Sequence, residues 1–104
     1  MSEIESATIR GLFTLNTNVN GSRYSLNEDA YRPNHQFEEY PSTFIGFVEF
    51  EGGKCSPGSS IEAIIKINYS SDMKYLLKPE NIWVVKEWPE VVGKVRILEV
   101  EFES

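Results

Sequence analysis

Apolar and polar residues alternate along SIEAIIKINY, residues 60–69, and again along RILEVEFES, residues 96–104. A period of two is that of a β-strand, because successive side chains point to opposite faces of a sheet. The first segment places one apolar set on a single face, opposite Glu62, Lys66 and Asn68: Ile61, Ala63, Ile65, Ile67 and Tyr69. The second repeats this with Leu98, Val100 and Phe102 opposite Glu99, Glu101 and Glu103. Long stretches of helical period are absent, so the pattern predicts an all-β protein.

Three further strands are predicted where β-branched and aromatic residues concentrate: ATIRGLFTL (7–15), STFIGFVEF (42–50) and NIWVVKEW (81–88). The segments between the strands are rich in turn-forming residues: NTNVNGS (16–22), EGGKCSPGS (51–59), YSSDMKYLLKPEN (69–81) and PEVVG (89–93). Short strands separated by such turns are typical of a sandwich or barrel. We expect a small antiparallel β-barrel of about six strands, closed or partly open.

Length and composition indicate a single domain. The 104 residues allow one modest core, so residues 1–104 are predicted to form one barrel domain. No apolar run approaches the roughly 20 residues of a membrane helix, and MSEIESATIR lacks the features of a secretory signal. The single cysteine, Cys55, excludes an internal disulfide and fits a reducing compartment. A cytoplasmic protein without membrane contact is the expectation.

The charge balance is acidic and uneven. The formal net charge is −6, from 10 basic and 16 acidic side chains. Residues 1–52 hold 3 basic and 8 acidic side chains, and residues 53–104 hold 7 and 8. Because nucleic-acid affinity comes largely from Lys and Arg neutralising phosphates, this balance disfavours unspecific nucleic-acid binding and leaves a local basic face open.

Four segments carry a resemblance to a known family. YRPNHQF (31–37) is similar to a Tyr-Arg-Pro-Gln-Phe signature with two residues inserted, and STFIGFVEF is similar to a strand of the form Thr-x-x-x-Gly. SPGSSIEAIIKI (56–67) resembles a Met-Pro-Gly-Asp turn followed by an alternating strand. WVVKEWPEVVGKVRILEV (83–100) resembles Phe-Ala-Ile-Arg-Glu-Gly-Gly-Arg-Thr-Val-Gly leading into a last strand. In this order, over residues 7–102, they resemble the C-terminal β-barrel domain of elongation factor Tu and its translational GTPase relatives.

The chain also departs from that pattern. Trp88 and Pro89 replace the family's glycine pair, and Glu90 replaces the arginine that follows it. Val95 stands for a glycine of the last strand, and Ser56 for the methionine of the Pro-Gly turn. The resemblance is therefore to a diverged, stand-alone version of the barrel.

The resemblance implies a docking surface without chemistry of its own. In the family this domain contacts the T-stem of aminoacyl-tRNA, the nucleotide exchange factor and the GTPase domain. The sequence contains no G-x-x-x-x-G-K-[ST] motif, so neither GTP binding nor GTP hydrolysis is expected of these 104 residues.

Arg32 and Arg23 are the candidate contacts that the resemblance suggests. Pro33 restricts the backbone of Arg32 to an extended conformation. The Arg32 side chain then either contacts a partner or a phosphate, or it braces its own loop through nearby carboxylates: Glu28, Asp29, Glu38 or Glu39. Arg23 and Tyr24 lie near the family segment that approaches tRNA, where a cation beside an aromatic could meet phosphate and stack on a base. A solvated hairpin tip is the alternative. Four basic residues form a strip if their strands are neighbours, and an ordinary solvated strand face is the alternative: Lys66, Lys86, Lys94 and Arg96.

No cofactor, metal or catalytic group is expected. His35 is the only histidine and has no cysteine at ligand spacing, so the sequence predicts a histidine with its hydrogen bonds satisfied rather than a zinc ligand. Cys55 lies in a glycine-rich turn without a base pattern, and the carboxylate pairs have no pocket signature. We expect a protein without enzymatic activity.

Trp88 is the main candidate for a protein contact. Together with Pro89 and Val91 it replaces small or polar residues of the family pattern, which predicts an exposed apolar patch. Three functions stay open. The first is a protein-binding module, whose partner belongs to the translation machinery or is a toxin held inactive through a masked basic site. The second is an RNA-binding module that retains the tRNA contact, and the third is a small-ligand or catalytic barrel.

Overall fold

The computed structural model describes residues 3–25 and 31–103. Eight strands follow one another along this part of the chain: β1 (Ile4–Leu15), β2 (Arg23–Tyr24), β3 (Asn34–Gln36), β4 (Phe44–Phe50), β5 (Lys54–Cys55), β6 (Ser60–Ser70), β7 (Ile82–Glu87) and β8 (Glu90–Phe102). Six of them close an antiparallel barrel in the order β1-β6-β4-β3-β7-β8, and β2 pairs separately with β5. The predicted small antiparallel β-barrel is confirmed and is closed.

The longest pairing joins β1 to β6 and carries the alternation that the sequence predicts. Ala63, Ile65, Ile67 and Tyr69 are buried, and the three polar residues predicted opposite them are exposed. On β1 the buried apolar residues are Ala7, Ile9, Phe13 and Leu15, of which the first three lie opposite residues of β6. Both strands have one solvent-exposed face and one apolar face, and this allows a small barrel to close around the apolar side chains.

The predicted facing of the last strand is wrong at Leu98. The pairing of β8 with β1 passes from Glu99 opposite Arg10 directly to Ile97 opposite Gly11, so Leu98 has no partner and forms a β-bulge. A bulge reverses the alternation on one side of it. Ile97 is therefore fully buried, whereas Leu98 is half-buried and Phe102 is 42% exposed.

Several other boundaries differ from those predicted. β8 begins at Glu90, so most of PEVVG is strand and only Trp88 and Pro89, joined by a cis peptide bond, connect β7 to β8. The segment YRPNHQF contributes the short strand β3. The predicted turn at 69–81 includes a 3₁₀ segment, Ser71–Leu76, whose Met73 and Leu76 are buried. No helix in residues 3–25 and 31–103 has both the length and the apolar character needed to cross a membrane.

Aromatic side chains fill the barrel beside β3. The indole of Trp83 packs edge-on against Phe37 and Phe44, with ring centroids 5.5 and 5.2 Å away, and Phe37 stacks on Phe44. All three rings are buried. The interior at this level is thus occupied by the protein's own side chains, as is usual for barrels of this size.

Candidate functional site

Glu87, the last residue of β7, is the centre of a hydrogen-bonded clamp. Its carboxylate accepts two bonds from Arg23, at 2.6 Å from Nε and 2.8 Å from Nη2, and a third from the hydroxyl of Tyr31. The two-pronged guanidinium contact is the stronger form of ion pair, because both donors match the two carboxylate oxygens. We call Glu87, Arg23 and Tyr31 the Glu87 clamp. It joins β7 to two segments that lie 64 and 56 residues away in the chain.

The contacts within the Glu87 clamp determine the protonation states of its three residues. The hydrogen bonds from Arg23 hold the pKa of Glu87 below its usual range, and those with Glu87 raise the pKa of Arg23. Burial, followed by the bond to Glu87, raises the pKa of Tyr31 well above that of an exposed tyrosine. Near neutral pH the site therefore contains an ionised pair and a neutral phenol.

The structure places Arg23 in a bracing position. Its remaining nitrogen, Nη1, donates to the carbonyl oxygens of Gly21 at 3.1 Å and Asn20 at 3.4 Å. The side chain is only 20% exposed. Each guanidinium nitrogen therefore already has an acceptor within the protein, and a phosphate would have to compete with Glu87 for the fork. Tyr24, in contrast, is 53% exposed and extends from the same short strand, where it pairs with Lys54.

Trp88 follows Glu87 directly and occupies the tip of the β7–β8 hairpin. Its side chain is 75% exposed, the largest exposed fraction among the apolar side chains of the described residues. Val91 on the returning strand is 46% exposed. The indole thus stands in water on a turn whose preceding residue is fixed by three hydrogen bonds.

Arg32 lies on another part of the barrel, beside β4. It is exposed, and its guanidinium carbon lies 5.7 Å from the ring centroid of Phe47, a cation–π geometry. The ion pairs of the described residues do not include one between Arg32 and Glu38 or Glu39. The other two carboxylates considered for it, Glu28 and Asp29, lie outside the described residues. Through its neighbour Tyr31, the segment still reaches the Glu87 clamp.

His35 is a core residue with both ring nitrogens engaged. Trp83 Nε1 donates to His35 Nδ1 at 2.8 Å, so the other nitrogen, Nε2, carries the proton and donates to the carbonyl oxygen of Gly46 at 3.2 Å. Burial lowers the pKa of His35 to about 4. A Cβ at Gly46 would lie 2.7 Å from Nε2, so the glycine provides the space for the ring. The expectation of a histidine with satisfied hydrogen bonds is confirmed.

Two further features bear on metal and thiol chemistry. Within residues 3–25 and 31–103, no group of three or more His, Cys, Asp and Glu side chains has the arrangement of a metal site. Cys55 is buried, and burial raises the pKa of its thiol. A neutral, buried thiol is a poor nucleophile, because the thiolate is the reactive form.

Three of the four residues of the predicted basic strip share one surface. Lys86 on β7 and Lys94 and Arg96 on β8 are on the outer side of adjacent strands. Lys66 lies on β6, opposite Phe47 of β4, and belongs to a different side of the barrel. The condition of neighbouring strands is thus met by three of the four residues.

Glu87 is the residue that sequence reasoning did not single out as part of a site. The only indication in the sequence was that Glu87 stands where the resembled motif Phe-Ala-Ile-Arg-Glu-Gly-Gly has its glutamate. The tertiary structure brings it against Arg23 and Tyr31 and next to Trp88, so three separate candidate segments meet there. No protein-family model matches the sequence, and no curated protein matches it either. The function is therefore inferred from this geometry and from the sequence resemblance.

Proposed function

We propose that this protein is a non-enzymatic protein-binding module whose contact surface is centred on Trp88. The observation that carries the proposal is the 75% exposure of the indole at the hairpin tip. Tryptophan is among the residues most enriched in interface hot spots, because it buries a large apolar area with few rotatable bonds. A partner that covered Trp88 would remove this apolar surface from water.

The Glu87 clamp supports this reading. It fixes the residue before Trp88 through an ion pair and a phenol hydrogen bond, so the hairpin tip is held before any partner arrives. Preorganisation favours binding, since less conformational entropy is lost on association. Val91 adds a second exposed apolar side chain two residues after Pro89.

The filled interior argues against a ligand-binding or catalytic barrel. Trp83, Phe37 and Phe44 occupy the space beside β3, and His35 has both of its ring nitrogens in internal hydrogen bonds. Small-molecule sites usually need a concave cavity with converging polar groups. A role in binding through the outer surface is the simpler use of such a barrel.

The finer identity we propose is a stand-alone, diverged relative of the elongation factor Tu C-terminal barrel that acts in the cytoplasm. A closed six-stranded antiparallel barrel is compatible with that resemblance. The partner is then a component of the translation machinery, or a toxin whose basic active site the acidic chain masks. The net charge of −6 favours association with a basic partner surface over long range.

The test is affinity capture from cell extract at low salt, with the sample divided and ribonuclease added to one half. A protein that is captured in both halves and lost with Trp88→Ala supports the proposal. Tyr75→Ala is the matched control, because Tyr75 is an aromatic residue 64% exposed on the 3₁₀ segment. A partner that Trp88→Ala retains as well as the wild type does would refute the proposed surface.

An RNA-binding module, with tRNA as the ligand that the resemblance suggests, is the second candidate. It is favoured by the shared outer surface of Lys86, Lys94 and Arg96. RNA recovered only without ribonuclease, and released steeply as salt is raised, would support it. The residues to change would be Lys94 and Arg96, together with Arg32, because Arg23 is occupied by Glu87.

A further inference from the structure

The outer surface of β7 and β8 combines cations with aliphatic side chains. In the strand pairing Ile82 lies opposite Arg96, and Val84 lies opposite Lys94. On the other side of β8, Leu12 of β1 lies opposite Arg96. Val91 continues this surface toward the hairpin tip. We call these six residues the basic–apolar face: Leu12, Ile82, Val84, Val91, Lys94 and Arg96.

The two cations of this face have no ionic partner among the described residues. The ion pairs there use Arg10, Arg23 and Lys74. Lys86, next to the face, is engaged differently, since its ammonium donates to Gln36 Oε1 at 2.7 Å. Lys94 and Arg96 are both exposed. A chain of net charge −6 thus presents a local positive spot at Lys94 and Arg96, with Glu38 beside Val84 and Val91 and with Glu62 opposite Leu12.

Two hollows flank the central Val84–Lys94 pair. One, of about 420 Å³, is lined by Val84 and Val91 together with Gln36, Phe37, Glu38 and Lys86. The other, of about 170 Å³, is lined by Leu12, Ile82, Lys94 and Arg96 with Thr14. Each hollow offers aliphatic walls next to a cation. A partner segment that carries both aliphatic and acidic side chains would match this combination.

We propose that the basic–apolar face binds an extended acidic segment of a protein partner, in which two Asp or Glu residues two positions apart are preceded and followed, at the next positions on the same side of the segment, by Leu, Ile or Val. The inference rests on the proposed protein-binding function and names its partner chemistry at this face. Lys94 and Arg96 stand two residues apart on one strand, about 7 Å from each other at the backbone. Carboxylates two residues apart in an extended segment have the same spacing and lie on one side of it. The aliphatic residues two positions before and after them lie on that same side, toward the hollows.

A peptide fits this face better than RNA does. The outward side chains beside Lys94 and Arg96 are aliphatic, whereas single-stranded RNA is held largely by stacking of its bases on aromatic rings. Two unpaired cations neutralise few phosphates, and the acidic remainder of the protein repels a polyanion. A short segment with two carboxylates needs no more than this face supplies. Val91 also connects the face to Trp88, so one partner can cover both.

The test begins with a library of random linear peptides displayed on phage. It is selected on the immobilised wild-type protein, and the Kd of each enriched peptide is then measured for the wild type and for the Lys94→Glu, Arg96→Glu double variant. We expect the enriched peptides to be acidic and rich in Leu, Ile or Val. Their Kd should rise about tenfold or more in the double variant and should also rise with added salt. Lys66→Glu with Lys78→Glu is the control, because it makes the same change in net charge at exposed residues outside the face.

Three results of the peptide selection would overturn the inference: enrichment of basic or uncharged peptides, failure to enrich any, or a Kd that the double variant does not change. A random RNA pool, selected in parallel and bound more tightly through the same two cations, would overturn it in favour of RNA. The two proposals separate in the capture experiment. A partner lost with Trp88→Ala and kept by the double variant leaves the proposed function standing without this inference. A partner kept by both variants removes the proposed function as well.

Discussion

The buried histidine makes the stability of this protein depend on pH in a defined direction. His35 is the only histidine in the chain, is fully buried, and has its pKa lowered from 6.5 to about 4 by burial. Below pH 6.5 the unfolded chain takes up a proton at this residue, whereas the folded chain does not until the pH approaches 4. Protonation therefore favours the unfolded state, and stability falls as pH falls through this window.

The magnitude follows from the shift. A lowering of the pKa from 6.5 to about 4 corresponds to about 3 kcal/mol over the full window. Between pH 7 and pH 5 the expected loss is about 2 kcal/mol, most of it below pH 6. That is a large part of the stability of a small domain, which is typically about 5–15 kcal/mol.

The assay is urea unfolding at several pH values, followed by the fluorescence of the buried Trp83, for the wild type and His35→Gln. A glutamine amide can accept from Trp83 Nε1 and donate to the Gly46 carbonyl, but it does not titrate. Carboxylates such as Glu87 contribute equally to both proteins, so the difference between the two stability curves isolates His35. The free energy of unfolding of the wild type minus that of His35→Gln should fall by about 2 kcal/mol from pH 7 to pH 5.

Parallel stability curves for the two proteins would refute this reasoning. An independent check needs no variant. The imidazole resonances of the single histidine in the native protein should not titrate near pH 6.5, and a native titration at that pH would show that the ring is protonated in the fold. This measurement decides the question even if His35→Gln does not fold.

Three further outcomes are expected. Gly46→Ala should destabilise the fold by about 1–3 kcal/mol in urea unfolding, because the added Cβ would lie 2.7 Å from His35 Nε2; a neutral effect would mean that the ring can move. Glu87→Gln should lower the free energy of unfolding at pH 7 by about 1–3 kcal/mol, and by progressively less in acid, because the lowered pKa of Glu87 gives the wild type stability that it loses as pH falls. An unchanged urea midpoint at pH 7 would show that the bonds to Arg23 contribute no net stability. Trp88→Ala should shift the unfolding free energy by no more than about 0.5 kcal/mol while abolishing partner capture, and a large loss of stability would assign the indole a structural role instead.

Local sequence determined the strands and their facing wherever alternation was regular. SIEAIIKINY became β6 with the predicted inward set, because a period of two leaves only one way to bury the apolar residues of a strand. The exposed position of Trp88 was predicted from its departure from the resembled pattern, whereas the burial and neutral state of His35 became visible only in the fold. The bulge at Leu98 did not, since the unpaired residue is set by how β8 meets β1 across the barrel closure.

Only the tertiary structure decided which groups the side chains of the candidate residues contact. Arg23 was predicted to face a partner or solvent, but closing the barrel brings Glu87 from 64 residues away within 2.6 Å of it. Arg32 lies over Phe47 for the same reason. Sequence specifies which side chains are available and on which face of a strand they lie. Which opposite charge or ring each one meets depends on strand order around the barrel, because that order sets the distances on which hydrogen bonds and ion pairs depend.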